Sequence, residues 1–113
     1  MSTKNKAANP IVSETTVAVN GTEYKIEFSM RGLMDAEDIS GLSLISGMTQ
    51  QQANHPQMKQ VCAFFYGFAK KHTPSLTFEA VQDMVNPRNW QDIWAAVLTV
   101  YASAFEVPAP KNE

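Results

Sequence analysis

The chain has 113 residues, 44% of them hydrophobic, and nine Lys and Arg against eleven Asp and Glu leave a net charge of −2. This is the size and balance of one globular domain, and it excludes the strongly basic surface that a nucleic-acid groove or an anionic membrane demands. A single cysteine, Cys62, excludes an internal disulfide and points to a reducing compartment, and no apolar run approaches the roughly 20 residues that cross a bilayer.

Residues 1–13 are polar and small. Lys4 and Lys6 are followed by no apolar core, so the segment reads as a mobile arm rather than a secretory leader. Next comes an alternating run, Thr15 to Val19, then Asn20-Gly21, then a second alternating run, Thr22 to Phe28. Asn-Gly between two such runs signals a hairpin, because a type I′ turn needs positive φ at both central residues. With that turn Val19 faces Thr22, Val17 faces Tyr24 and Thr15 faces Ile26. Thr15, Val17, Val19, Tyr24, Ile26 and Phe28 then share one face, which needs an apolar cover.

Ser29 is placed to cap a helix that Ser40-Gly41 ends. Its apolar stripe reads Met30, Leu33, Met34 and then Glu37, a carboxylate at an unexpected position. Glu37 either sits at the edge of the stripe in water or is a half-buried structural carboxylate bonded to a lysine, a tyrosine or free backbone N–H groups. In residues 42–56, Leu42, Leu44, Ile45 and Met48 suit a short amphipathic turn, and Gln50 to Pro56 a surface loop or frayed helix end.

A second helix is expected from Pro56 to about His72, with Met58, Val61, Cys62, Phe65, Phe68 and Ala69 on its apolar stripe. Phe64 and Tyr66 fall beside that stripe. A third starts near Thr77 and carries Phe78, Val81, Met84 and Val85 before Asn86-Pro87 ends it. The fourth begins near Asn89 and carries Trp90, Ile93, Trp94, Val97, Leu98, Tyr101, Ala104 and Phe105. The expected fold is α+β and mostly α, an N-terminal β-hairpin packed on a small bundle of about four helices. One globular domain spans 14–105, with a flexible tail over 106–113 after Pro108 and Pro110.

No catalytic, cofactor-binding or metal-binding residue is expected. His55 adjoins a proline and His72 ends a helix. No His, Cys or carboxylate cluster has ligand spacing, and no glycine-rich phosphate loop is present. Cys62 lies on an apolar stripe, as a buried inert thiol does. Helices three and four could suggest a helix-turn-helix, but Trp90 to Phe105 holds no Lys or Arg, which disfavours a DNA-binding regulator. Large apolar groups off a core face need a partner. Phe64 and Tyr66 are therefore candidate partner-binding residues, or they meet another helix of the same fold. Six methionines fill core or form an adaptable binding surface, and Met48 and Met58 join the candidates.

The hairpin followed by Phe28-Ser29-Met30-x-x-Leu33-x-x-x-Glu37-x-x-x-Gly41 resembles the N-terminal part of the tail assembly chaperones of long-tailed bacteriophages and their gene-transfer-agent relatives. In that family an apolar helix and a Pro-Ser-Leu-Thr-x-Glu segment precede a terminal aromatic helix. Here these are Val61 to Lys71, Pro74-Ser75-Leu76-Thr77-Phe78-Glu79, and Trp90 to Phe105. The similarity covers about residues 17–105, apart from 42–56, and contains no catalytic fingerprint. It implies a non-catalytic chaperone that keeps the tape-measure protein, and tail-tube subunits, soluble until the tube polymerises. It also implies a homo-oligomer in the host-cell cytoplasm, outside the finished virion, with no nucleic-acid or membrane partner. A longer product made by frameshifting is a further implication, for which Ala109-Pro110-Lys111 permits a slippery codon run. The competing reading is a small phage-type adaptor or inhibitor that occludes a host protein.

Overall fold

Asn20 has φ 52° and Gly21 φ 86°, the two left-handed residues of a type I′ turn. In the computed structural model, which describes residues 14–42 and 49–105, this turn joins β1 (Glu14–Val19) to β2 (Thr22–Glu27). The strands pair antiparallel, with Val19 opposite Thr22, Val17 opposite Tyr24 and Thr15 opposite Ile26. This is the register that the turn predicts. Val17, Val19 and Ile26 are buried, and Tyr24 and Phe28 are half-buried. β1 lies on the last helix and β2 on the central one, where Tyr24 meets Phe65 edge-on at 5.6 Å and Phe28 meets Phe68 at 5.5 Å.

Helix α1 (Met30–Ser40) starts where the Ser29 hydroxyl accepts the Gly32 N–H at 3.0 Å. It stops at Gly41, whose left-handed φ of 77° turns its N–H back to the Glu37 carbonyl. Its buried face differs from the expected stripe. Gly32, Leu33 and Ala36 face inward, and Met30 and Met34 are 51% and 58% exposed. The cause is close packing: the backbone of α1 crosses that of α3 at Gly32 and Gly67, where a side chain has no room. The small residues thus claim the interface and the methionines turn out. Glu37, half-buried, is in contact with neither of the grooves described below.

A fifth helix among the described residues, α2 (Gln50–Asn54), lies where a loop or frayed end was expected. Thr49 and Gln52 close a capping box, each side chain bonding the other's backbone N–H. The Trp94 indole N–H then donates to the Ala53 carbonyl at 2.8 Å and ties this short helix down. Met48 and the expected arm and tail, 1–13 and 106–113, lie outside the described residues.

Helix α3 (Met58–Ala69) is shorter at both ends than the predicted span and forms the centre of the fold. Gln60 to Phe65 and Gly67 to Ala69 are all buried. Of the two readings of Phe64, partner-binding residue or contact with another helix of the same fold, the structure supports the second. The Phe64 side chain is fully buried, with ring centroids 5.5 Å from Tyr101, 5.6 Å from Phe68 and 5.7 Å from Trp94. A helix apolar on most sides needs cover on most sides, and here β2, α1, α4 and α5 share that work. Tyr66 is half-buried and meets Phe78 edge-on at 5.9 Å, so it too packs within the fold.

Helix α4 (Phe78–Met84) is capped by Thr77, and α5 (Trp90–Phe105) follows Asn86-Pro87. Ile93, Trp94, Val97, Val100 and Tyr101 enter the core from α5. The hairpin tip closes on this junction. The Asn20 amide donates to the Met84 carbonyl at 3.1 Å, and Asn89 donates to the same oxygen at 2.9 Å.

Candidate functional site

Met58, Cys62, Tyr66 and Lys70 recur at four-residue steps, which sets them in one line along α3 and onto the residue just past its end. Two depressions border this line. The first, about 670 Å³, lies between the N-terminal half of α3, α4 and the start of α5. Met58, Cys62, Phe78, Val85, Pro87 and Trp90 give it apolar walls, and Lys59, Gln82 and Asn86 add polar groups. Its shape follows from local sequence. Asn86-Pro87 ends α4 and restarts the chain as α5, which leaves a gap above α3. Met58 is 45% exposed there. Burial pushes the Cys62 thiol up, which keeps it protonated and makes it part of an apolar wall.

The second depression, about 660 Å³, lies where α1 crosses α3. Arg31, Asp35, Tyr66, Lys70 and Lys71 line it, with Leu76 on the segment that enters α4. The Lys70 ammonium is 3.2 Å from Asp35 Oδ2 and donates to the Tyr66 hydroxyl at 3.3 Å. Asp35 and then Tyr66 hold the Lys70 pKa above its usual value. The carboxylate oxygen of Asp35 is shut off from solvent, and this ammonium is its counter-charge.

A third cluster joins the hairpin base to the end of α3. Lys71 donates to Glu27 Oε2 at 3.0 Å, and His72 Nε2 lies 2.7 Å from Glu27 Oε1. Lys71 first, then His72, draws the Glu27 carboxyl below the usual carboxylate range. Glu14, across the hairpin, pairs with Lys25 at 3.1 Å. Ligand atoms of Glu14, Glu27 and His72 lie within 4.8 Å of one another, a grouping with ligand spacing that sequence reasoning missed. The hairpin register sets Glu14 opposite Glu27, but no local pattern brings His72 to them. Both Glu27 oxygens already have nitrogen partners, so the cluster works as an ion-pair junction.

Of the candidate partner-binding residues, Met58 lines the first groove and Tyr66 the second, and Phe64 lines neither. Sequence reasoning missed Phe78, Val85 and Trp90 as groove walls, and Arg31 and Lys70 as pocket cations. The four-residue step from Met58 to Lys70 was the one signal that connects the two depressions. No described helix is long and apolar enough to cross a membrane. Comparison of the chain with protein-family models, with curated proteins and with solved structures finds no match.

Proposed function

We propose that the chain is a non-catalytic tail assembly chaperone that binds apolar segments of the tape-measure protein, and of tail-tube subunits, and keeps them soluble in the host cytoplasm until the tube polymerises. The observation that carries this reading is the apolar groove between α3, α4 and α5, open to solvent and walled by Met58, Phe78, Val85 and Trp90. Its volume is in the range of sites that accept a few large side chains. Met58, unbranched and polarizable, lets such a wall adapt to varied apolar clients. The resemblance of residues 28–41 and 74–79 to the chaperone family supplies the identity of the client.

Co-expression tests it. An aggregation-prone tape-measure protein should stay soluble beside the parent chain and need no nucleotide. Met58→Asp should return it to the pellet. An acidic residue in the first turn of α3 suits the helix dipole, so this variant keeps its fold. Full rescue by folded Met58→Asp would remove the groove as the client site. Retention of one host protein in place of tail proteins would favour the adaptor or inhibitor reading.

A further inference from the structure

The two depressions share a wall. Tyr66 lines the pocket, Phe78 lines the groove, and their rings touch edge-on at 5.9 Å. The segment leading into α4 passes between them, with Leu76 on the pocket side and Phe78 on the groove side. Their chemistry differs. The groove is mostly apolar, but Arg31, Lys70 and Lys71, three of the chain's nine cations, line the pocket against the single acid Asp35. A fourth cation, Lys59, lines the groove. Glu27 holds Lys71 from outside the pocket, and the local balance stays positive on a chain of net charge −2. Arg31 is exposed and has no ion-pair partner among the described residues. A guanidinium and an ammonium lining one pocket suit a carboxylate.

We infer that groove and pocket form one bipartite surface, and that it takes a polypeptide segment with an apolar patch followed by acidic residues. The inference rests on the chaperone reading and adds the chemistry of the client. Cys62 in the groove and Lys70 at the pocket are eight residues apart on the same line, about 12 Å at the helical rise. A helical client therefore presents its carboxylates about two turns beyond its apolar side chains. The apolar part supplies affinity, and the charged part sets direction and excludes basic segments.

Fluorescence anisotropy with three labelled helical peptides of about five turns tests this on the full chain. All share one leucine face, and their far ends carry Glu, Gln or Lys. The Glu peptide should bind about tenfold tighter than the Gln peptide, with the Lys peptide weakest. The Glu preference should shrink as salt rises. Arg31→Glu should abolish the preference for Glu over Gln, and Met58→Asp should weaken all three. Equal binding of the Glu and Gln peptides would overturn the bipartite surface and leave the apolar groove as a client site. Failure of every peptide to bind would overturn both. Displacement of the Glu peptide by an oligonucleotide of equal charge would overturn the assignment of the pocket to acidic polypeptide.

Discussion

A methyl group on Gly32 would stand 2.6 Å from the carbonyl oxygen of Gly67, and one on Gly67 would strike the Gly32 carbonyl in return. The two glycines bring α1 and α3 to backbone contact. Gly32→Ala and Gly67→Ala should each lower stability by about 1–3 kcal/mol, because the helices must separate. That loss opposes a helix-propensity gain of about 0.5–1 kcal/mol for replacing Gly by Ala. Urea titration gives the sign directly. A variant more stable than the parent would mean that the crossing yields at little cost.

Trp94 fills core and holds α2 through its N–H. Trp94→Ala should cost about 3–5 kcal/mol. Trp94→Phe keeps one aromatic ring in the core but removes the pyrrole edge and its bond to Ala53. Its global loss should be smaller, and hydrogen exchange should speed up selectively in Gln50–Asn54. Unchanged exchange there would show that α2 does not depend on the indole.

Gln60 is 1% exposed, and its amide nitrogen has no hydrogen-bond partner among the described residues. A buried unsatisfied donor costs about 1–3 kcal/mol, and methionine has nearly the same shape. Gln60→Met should therefore raise the melting temperature. A lower value would reveal a bond that the amide makes in solution.

The Glu27 carboxyl lies below its usual range because Lys71 and His72 bind its charged form. A depressed carboxyl contributes stability above its unfolded pKa, and the contribution fades as pH falls through the folded one. Glu27→Gln should thus be less stable than the parent at neutral pH. The gap should close on acidification, beginning in the ordinary carboxylate range and ending below it. Denaturant midpoints from neutral to strongly acid pH measure this. A gap independent of pH would assign the loss to packing.

The hairpin was legible because two residues, Asn20 and Gly21, carry its geometry, and alternation then assigns both faces. The caps at Ser29 and Gly41 were legible for the same local reason. The facing of α1 was not, because Met30 and Met34 carry the apolar signal while Gly32, with no side chain, sets the contact. Phe64 was left between two readings for a related reason. A stripe drawn along α3 assumes one covered face, and only the tertiary arrangement shows that the Phe64 face is covered as well as the Phe65 and Phe68 face. The Met58 side of the candidate site could be named from sequence. Arg31 and Leu76 could not, because the close α1 crossing and the turn into α4 bring them to Tyr66.

Asn20 reaches Met84 across 64 positions of chain, and β1 rests on α5, the last element described. β2 can meet α3 once that helix is made, but β1 waits for α5. At synthesis rates of about 5–20 residues per second, the interval from Glu27 to Phe105 is roughly 4–16 s. Through that time Val17, Val19 and Ile26 have no α5 to rest on, and a two-stranded ribbon alone is marginal in water. On the ribosome the nascent chain therefore carries a half-covered ribbon with free edges until α5 emerges, an interval in which that apolar face is open to other chains.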